Sequence, residues 1–506
     1  MDAKDWGRAG PLMTISLIHC SDETSSTESM TGEKTEAVTF DAGRRSPTYR
    51  LNDLWTEFRD STGLHSVDKI KPPSVSPFSI RGSIWMIALC STTAFLVYNL
   101  VDQIGNYYSY PTITKFTPKM MSVIDFPAVT ICNRCTLNKT RLDVYPEMEN
   151  YLFNRHNGSV HARSFPVSDV FQDQLSVEWW NNMSMEGSKM LFSCAFGGVE
   201  FDCMTRFRPI FTSEGLCHTF NFNDSEIARV KKAGDSKNLV VLMNIYQDQY
   251  TFVANMAAGI KVFLHNPSVH PDASSTIVMA APGFSTYVAM QKYEYFYQPQ
   301  PYLAFGHMDC VDTTSPKFVN PLKYYSPYTF NHCVMECVQA KAFNQCGCVG
   351  PSDPRGGPLC SLTKQDSCYN PVRDAESTEA NFLQECGCVG ECRFDSYTAQ
   401  VSSSSFPAKV WVDHLLKTRG AQDKEAMLEN FVMLRVFYGQ MMVTTITQQP
   451  QHTVATLLSD IGGQMGLCLG ASMLTVAEIT EFLVFIIIFL LDKCRGRKAR
   501  NRISNW

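Results

Sequence analysis

Two long apolar stretches, one near each end of the chain, restrict the fold more than any other feature of this sequence. The first, Gly82–Val101, reads GSIWMIALCSTTAFLVYNLV and contains no charged residue. A helix of that length rises about 1.5 Å per residue and so crosses the ~30 Å hydrocarbon layer of a bilayer. The second, Ile461–Leu491, is apolar apart from Glu478 and Glu481. We therefore predict a membrane protein with two transmembrane helices.

The charges around these stretches predict their orientation. Lys69, Lys71 and Arg81 precede the first stretch, and DKCRGRKARNR follows the second. Positively charged flanks stay on the cytoplasmic side, so both termini are predicted to be cytoplasmic. A cleaved signal peptide does not fit, because the first stretch follows some eighty mostly polar residues. The protein is thus predicted to lie in the plasma membrane, with everything between its two spans outside the cell.

The cysteines and the glycosylation acceptors agree with this topology. Of 19 cysteines, only four lie in the tails or the spans, namely Cys20, Cys90, Cys468 and Cys494. Four N-glycosylation sequons fall between the spans, at Asn138, Asn157, Asn182 and Asn223. An oxidising extracellular compartment permits both disulfides and N-glycans. Outside the cell, oxidation also competes with zinc binding by the Cys-Gly-Cys and CNRC motifs, so we predict disulfides, no metal and no cofactor.

Composition and motifs exclude several function classes. The net charge of −5 and the pI of about 6.1 give no basic field for nucleic acid. A hydrophobic content of 44% is too low for a transporter with many spans. The sequence has no HExxH motif, no GxSxG elbow and no phosphate-binding loop, and His265 and His270 show no ligand spacing. We predict that the protein is not an enzyme.

The chain is predicted to have six parts. They are a largely disordered cytoplasmic N-terminus (1–60), a cytoplasmic pre-membrane segment (61–81), transmembrane helix 1 (82–103), an extracellular cysteine-rich domain (104–452), transmembrane helix 2 (453–491) and a basic cytoplasmic tail (492–506). Within the extracellular domain, NLVVLMNIY and GIKVFLH are typical of strands. YTFNHCVMECVQAKAFNQCGC is typical of a helix with Cys333 and Cys337 on one face. The domain is therefore predicted to be α+β and rich in disulfides.

The second apolar stretch is unusual in its length. A straight helix from Ile461 to Leu491 would measure about 46 Å against ~30 Å of hydrocarbon. It must tilt strongly, project beyond the membrane, or break. The Gly470-Ala471-Ser472 triplet is the weakest helical point of the stretch.

Polar residues recur along the second stretch at helical spacing. They are Asp460, Gln464, Cys468, Ser472, Thr475, Glu478 and Glu481. Helix packing explains the small residues, but it does not explain two glutamates whose unpaired burial would cost several kcal/mol each. A water-filled cation path removes that cost. Because two spans cannot enclose a pore, we predict an oligomer around an axis.

Several motifs in order resemble the degenerin/epithelial sodium channel family, over roughly residues 60 to 490. LLSDIGGQMGLCLGASMLTVAE is similar to the second-span signature of that family, and FPAVTICN resembles the segment after its first span. GLCHTFN, AGIKV, APGFSTYVA and the cysteines from Cys310 to Cys392 are similar to landmarks of its ectodomain.

The resemblance implies a homotrimer or heterotrimer with a hand-like ectodomain of palm, β-ball, finger, thumb and knuckle. It implies a voltage-insensitive channel that prefers sodium ions and is blocked by amiloride. It also implies seven disulfides, five of which staple one helical thumb. They are Cys132–Cys217, Cys194–Cys203, Cys310–Cys392, Cys333–Cys388, Cys337–Cys386, Cys346–Cys368 and Cys348–Cys360. Cys135 has no place in that pattern, so it is either a free thiol or pairs between chains.

The resemblance also assigns roles in the pore. Gly470, Ala471 and Ser472 would form a narrow selectivity belt whose carbonyl and hydroxyl oxygens replace part of the hydration shell of sodium. Glu478 and Glu481 would concentrate cations below that belt, and Asp460 would do so at the outer mouth.

Further positions match the family's gating elements. Ser459 occupies the degenerin site, where a small side chain lets the pore close. His65 matches the histidine of a cytoplasmic His-Gly motif, although Ser66 here replaces the glycine. Tyr110 and Tyr302 match a wrist contact at which the family more often has Trp in the second position. We predict that this contact couples the ectodomain to the spans, and two tyrosines packed in a core are the alternative interpretation.

The opening stimulus is the least determined feature. Acid-sensing members have histidines where this chain has Pro111 and Thr112, and their acidic pair is Asp248-Gln249 here. Histidine is the side chain that titrates nearest neutral pH, so its replacement removes the simplest proton switch. We predict opening by an extracellular ligand, which is a peptide, a proton or another small ligand. The alternatives are a constitutive sodium leak and a cysteine-rich membrane receptor without a pore.

Overall fold

The structure, a computed structural model, describes most of the chain between the two apolar stretches and both stretches themselves. The described residues are 51–64, 67, 80–145, 147–149, 152–153, 176–223, 225–252, 257–272, 274–306, 308–376, 385–419 and 423–503. His65, Ser66, Asn157 and residues 1–50 therefore lie outside the described residues. The chain divides into two units, a large one of residues 63–474 and a small one of residues 1–62 and 475–506.

Thirteen α-helices are assigned within the described residues. They are α1 (Leu51–Ser61), α2 (Ile80–Tyr108), α3 (Lys139–Leu142), α4 (Val177–Met183), α5 (Gly187–Met190), α6 (Cys203–Arg206), α7 (Phe330–Cys346), α8 (Leu362–Lys364), α9 (Asn370–Glu376), α10 (Lys409–Arg419), α11 (Lys424–Asn430), α12 (Val454–Leu469) and α13 (Met473–Ile503).

Sixteen strands accompany them in the described part of the chain. They are β1 (Thr112–Met120), β2 (Ile124–Asp125), β3 (Ala128–Asn133), β4 (Leu191–Phe196), β5 (Val199–Phe201), β6 (Phe207–Thr212), β7 (Gly215–Phe220), β8 (Arg229–Val230), β9 (Leu239–Asn244), β10 (Ile260–His265), β11 (Thr276–Ala280), β12 (Phe284–Phe296), β13 (Cys310–Val311), β14 (Gly390–Glu391), β15 (Arg393–Ser405) and β16 (Phe431–Pro450).

The largest sheet has seven strands and is organised around β16. Its order is β15-β12-β16-β9-β4-β5, and β1 pairs with the C-terminal half of β16. The register runs antiparallel from Thr112 opposite Pro450 to Met120 opposite Met442. Because α2 precedes β1 and α12 follows β16, the two apolar helices of the large unit continue directly from neighbouring strands.

A second sheet of five strands has the order β11-β10-β3-β7-β6. Alternate side chains of both sheets enter one hydrophobic core, in which Phe126, Phe220 and Tyr438 are fully buried. The Tyr438 hydroxyl donates to the Asp125 carbonyl at 2.8 Å, which satisfies the polar end of a buried ring. The predicted strands at NLVVLMNIY and GIKVFLH are confirmed as β9 and β10.

The thumb, as we call residues 310–392, is built on helix α7. Thr329 caps the helix by accepting a hydrogen bond from the His332 N–H at 3.1 Å. Gly347 ends it with a left-handed φ of +68°, a conformation that favours glycine. The predicted helix is thus confirmed, and Cys333 and Cys337 lie one turn apart on it.

The second apolar stretch is broken rather than continuous. Of the three outcomes that its length left open, the structure shows the break, since α12 ends at Leu469 and α13 begins at Met473. The predicted polar stripe assumed one helix, so the expectation of a single stripe from Asp460 to Glu481 is corrected. The first stretch forms one helix, α2, whose apolar part extends over Gly82–Tyr108.

The small unit contains helix α1, where the sequence predicted a largely disordered terminus. The ring of Phe58 stacks on the ring of Phe482 with 4.3 Å between centroids, and Trp55 lies 6.1 Å from the same ring. Leu51, Leu54, Trp55 and Phe58 follow helical spacing, so this short segment has an apolar face to bury.

Candidate pore and gating site

The break at Gly470-Ala471-Ser472 coincides with the predicted selectivity belt. Gly470 has a φ of +66°, and its N–H donates to the Gly466 carbonyl at 2.9 Å, so it ends α12 as a left-handed cap. Ala471 is buried and Ser472 is exposed in the single chain. The last carbonyl groups of a helix lack intrahelical donors and form its negative end. The negative end of α12 therefore lies at this turn.

Helix α12 begins with a double cap that fixes the position of its first turn. The Thr453 hydroxyl accepts from the Thr456 N–H at 3.1 Å, and the Thr456 hydroxyl accepts from the Thr453 N–H at 2.7 Å. Ser459 and Asp460 follow in the second turn, and both side chains are exposed. Helix α12 packs against α2 within the large unit. Both side chains are thus accessible on a helix that touches the first span.

The two predicted pore glutamates belong to helix α13 in the small unit. Glu478 is half-buried and Glu481 is exposed. One helical turn separates them, so they point toward the same side of α13.

The two tyrosines of the predicted wrist contact lie against each other. Their rings are 5.4 Å apart between centroids and meet edge to face at 83°. Tyr110 follows α2 with a φ of +51°, and Tyr302 lies in the loop between β12 and β13. Both are half-buried, so this is a contact between two chain segments at the surface rather than part of the main core.

Beside this contact lies a residue that the sequence did not indicate, Gln448. It is 4% exposed, and its amide nitrogen donates to the Thr112 hydroxyl and to the Leu303 carbonyl, both at 2.8 Å. Its amide oxygen accepts from the Gln298 N–H at 2.9 Å, and its backbone carbonyl accepts from the Gln298 side chain at 3.2 Å. Gln448 thereby joins β1, β16 and the loop that holds Tyr302.

The disulfides link the same fourteen cysteines that the resemblance pairs. They are Cys132–Cys217, Cys194–Cys203, Cys310–Cys392, Cys333–Cys388, Cys337–Cys386, Cys346–Cys368 and Cys348–Cys360. The last five lie in the thumb. Three of them join α7 to the segments after α8 and before β14, Cys348–Cys360 closes the loop between α7 and α8, and Cys310–Cys392 joins β13 to the residue after β14. The thumb is therefore held covalently at several points along its length.

Cys135 is a free thiol with no exposed surface. Its sulfur lies 3.2 Å from the Leu137 carbonyl and accepts from the Thr251 N–H at 3.2 Å. Burial raises the pKa of this thiol above its usual value of 9.0. A disulfide to a second chain does not fit this site, because the sulfur cannot reach the surface.

The glycosylation acceptors differ in accessibility. Asn182 and Asn223 are exposed. Asn138 is 8% exposed, and its amide nitrogen donates to the Gln249 side chain at 2.7 Å. A glycan on that nitrogen would break the hydrogen bond and require space inside the protein, so the geometry argues against the predicted glycan at Asn138.

Titratable groups between the two apolar stretches lie in different environments. Asp248 is exposed in a 3₁₀ turn, Gln247–Gln249. His265 is 5% exposed, and its Nε2 lies 2.8 Å from the Thr130 hydroxyl. Burial lowers the pKa of His265 to about 4, with a further contribution from nearby histidines. This imidazole is therefore neutral at pH 7.

These observations define a class of protein. A disulfide-rich extracellular part continues from neighbouring strands into apolar helices, and Gly82–Tyr108 and Met473–Leu491 are long and apolar enough to cross a membrane. Residues 58–482 match the amiloride-sensitive sodium channel family, and the chain belongs to that family. The predictions of a two-span, disulfide-rich channel fold and of a protein that is not an enzyme are confirmed.

Individual relatives are similar to this chain over most of its length and most of their own. It is 29% identical to acid-sensing ion channel 1A of Danio rerio over 87% of this chain and 90% of the relative. It is 28% identical to acid-sensing ion channel 1 of Gallus gallus over 88% of this chain and 86% of the relative. It is also 28% identical to the bile acid-sensitive ion channel of Homo sapiens over 88% of this chain and 90% of the relative.

Proposed function

We propose that the chain forms a sodium-selective, voltage-insensitive cation channel in the plasma membrane, opened by an extracellular ligand and blocked by amiloride. Three copies, or copies with related subunits, surround the pore with both termini in the cytoplasm. The observation that supports this proposal best is the break in the second apolar stretch at Gly470-Ala471-Ser472. Lipid offers no partner for the backbone groups freed by such a break, whereas a water-filled path does.

In this proposal each pore residue has one role. Carbonyl groups at the belt of residues 470–472 and the Ser472 hydroxyl replace water around a partly dehydrated sodium ion. Glu478 and Glu481 raise the cation concentration below the belt, and Asp460 does so at the outer mouth. Ser459 keeps the closed pore narrow because its side chain is small.

Recording from cells that express the chain tests this assignment. We expect Ser459→Trp to produce a resting sodium current that amiloride blocks, because a bulky side chain holds the pore open. Ser459→Ala is the matched small control and should not produce that current. A surface-expressed Ser459→Trp channel without current would contradict the pore and favour a receptor without a pore.

The belt is tested in the same background. Gly470→Cys and Ser472→Cys should each shift the reversal potential between sodium and potassium solutions, and Glu478→Gln should reduce the single-channel conductance. Unchanged values in all three variants would exclude these residues from the pore. A standing current of the unmodified chain without any agonist would instead favour the leak channel over ligand opening.

A further inference from the structure

A cavity of about 650 Å³ lies in the large unit, away from the apolar helices. It is bounded by the loop between β10 and β11, by the first turn of the thumb helix α7, and by β14 and the start of β15. Its volume is in the range of sites that bury drug-sized molecules. Three parts of the fold meet at it, so a molecule bound there would contact all of them.

Apolar side chains form much of its lining. They include Leu264, Val269, Phe305, Met308, Phe330 and Phe394. Such walls favour a ligand with an aromatic or aliphatic body, since burial of apolar surface on both partners is favourable.

One carboxylate in this lining has an unused oxygen. Asp272 is 9% exposed, and its Oδ1 accepts from the Ser274 N–H at 2.8 Å and from the Ser274 hydroxyl at 2.5 Å. Its Oδ2 is buried and has no hydrogen-bond partner among the residues that the structure describes. Leaving a buried charged acceptor unpaired is unfavourable, so a donor with positive charge would stabilise this group.

A second carboxylate in the same cavity adds negative charge. One oxygen of Glu391 accepts from the Phe330 N–H at 2.8 Å at the start of α7. Burial raises the pKa of Glu391, and the charge of Asp272 raises it further. The two carboxylates therefore repel each other in a site of low polarity.

Two other charged groups of the lining have contacts elsewhere. Asp395 is already paired with Lys292 at 3.0 Å. Arg393 is exposed, and its guanidinium lies 5.9 Å from the centre of the Phe296 ring. Asp272 thus contributes a buried carboxylate oxygen that has no hydrogen-bond partner among the described residues.

We propose that this cavity binds an organic cation, an ammonium or guanidinium group on an aromatic or aliphatic body, with the positive group paired to Asp272 and the body against the apolar walls. This binding site rests on the proposed channel function in one respect, since the organic cation would be the extracellular ligand that opens the channel. The positive group could belong to a free amine or to the amino terminus of a short peptide. Both share the chemistry that Asp272 recognises.

Direct binding to the purified full-length protein tests the site without any current. The probe is 2-phenylethylamine, and 2-phenylethanol is its neutral counterpart with the same aromatic body. We expect saturable binding of the amine by titration calorimetry, at least about tenfold tighter than that of the alcohol, as for loss of a charge-assisted hydrogen bond. Asp272→Asn should weaken amine binding about tenfold or more and leave alcohol binding unchanged.

Glu200→Gln is the matched control, because Glu200 is an exposed carboxylate on β5 outside the cavity. It should bind the amine like the unmodified chain. Equal binding of amine and alcohol, unchanged amine binding in Asp272→Asn, or no saturable binding of the amine would each overturn the proposal.

Two further comparisons show whether the positive group comes from a free amine or from a peptide, and whether the cavity proposal or the channel proposal has failed. A Phe-Gly dipeptide with a free amino terminus and its N-acetylated form show whether a peptide end enters the cavity, since acetylation removes the charge. Binding of the free dipeptide in preference to the amine indicates a peptide source, and preference for the amine indicates a free amine.

If Ser459→Trp gives a sodium current but the amine does not bind, the proposed cavity site is wrong and the proposed channel function stands. If the amine binds but Ser459→Trp gives no current, the channel is wrong and the site stands.

Discussion

The ring of Tyr110 meets the ring of Tyr302 edge to face, with 5.4 Å between their centroids. Tyr110 lies in the short connection between α2 and β1, and Tyr302 lies in the loop that leads from β12 to the thumb. Edge-to-face pairs contribute about 0.5–1.5 kcal/mol beyond the area that they bury. The contact thus joins the loop that precedes the thumb to the connection that follows α2.

We expect Tyr302→Leu to reduce the maximal ligand-activated current, because an aliphatic side chain loses the ring contact with Tyr110. Tyr110→Leu should have the same effect, and the double variant should be no worse than either single variant. The difference between the effect of the double variant and the sum of the two single effects is the coupling energy, which we expect to be about 0.5–1.5 kcal/mol in the opening equilibrium. Tyr302→Phe keeps the ring and is the control. Additive losses in the double variant would show that the two rings act independently.

A second expectation concerns Gln448, whose side chain and carbonyl make four hydrogen bonds. We expect Gln448→Met to lower the free energy of unfolding by about 2–4 kcal/mol, because it leaves buried partners such as the Gln298 N–H unpaired. Denaturant unfolding followed by tryptophan fluorescence measures the change. Gln449→Met is the matched control, since the neighbouring Gln449 is exposed. Equal stability of the two variants would show that the Gln448 network contributes nothing.

The contrast between Gln448 and the thumb shows what this sequence can predict. The strands β9 and β10 and the helix α7 follow from local patterns of apolar residues, and the disulfide pairs follow from the family resemblance. Gln448 is bonded to residues 145, 150 and 336 positions away, so no local pattern indicates it. The length of the second apolar stretch left a tilted, a projecting and a broken helix open, and only the structure, with its left-handed φ at Gly470 and a new helix from Met473, shows the break.

Asn138 illustrates the same limit for a short motif. The sequon identifies Asn138 as a glycan acceptor, but the burial of its side chain against Gln249 depends on the fold. We expect Asn182→Gln and Asn223→Gln each to increase mobility on a denaturing gel by the loss of one glycan. Asn138→Gln should leave mobility unchanged. A mobility shift in Asn138→Gln that deglycosylation abolishes would show that this amide is accessible when the glycan is attached.

The last expectation concerns acid and the buried imidazole of His265. Its Nδ1 donates to the Asn266 carbonyl at 3.1 Å, and its Nε2 accepts from the Thr130 hydroxyl at 2.8 Å, a neutral tautomer assigned from these partners. The folded pKa is lowered to about 4, against about 6.5 in the unfolded chain. Below pH 6.5 the unfolded chain binds a proton here and the folded chain does not. Stability is therefore complete above pH 6.5 and decreases as the pH falls toward 4, by about 3 kcal/mol for this group.

His265→Gln removes the titration and keeps one donor and one acceptor. We expect its free energy of unfolding to fall less steeply than that of the unmodified chain between pH 6.5 and 4, as measured by denaturant unfolding at half-unit steps. His414→Gln, at an exposed position, should follow the unmodified chain. Buried His218, whose pKa burial also lowers to about 4, contributes to the slope that remains in His265→Gln. If His265→Gln and His414→Gln gave parallel profiles over this range, the imidazole of His265 would have to be accessible to protons in the folded protein, contrary to its burial against Thr130.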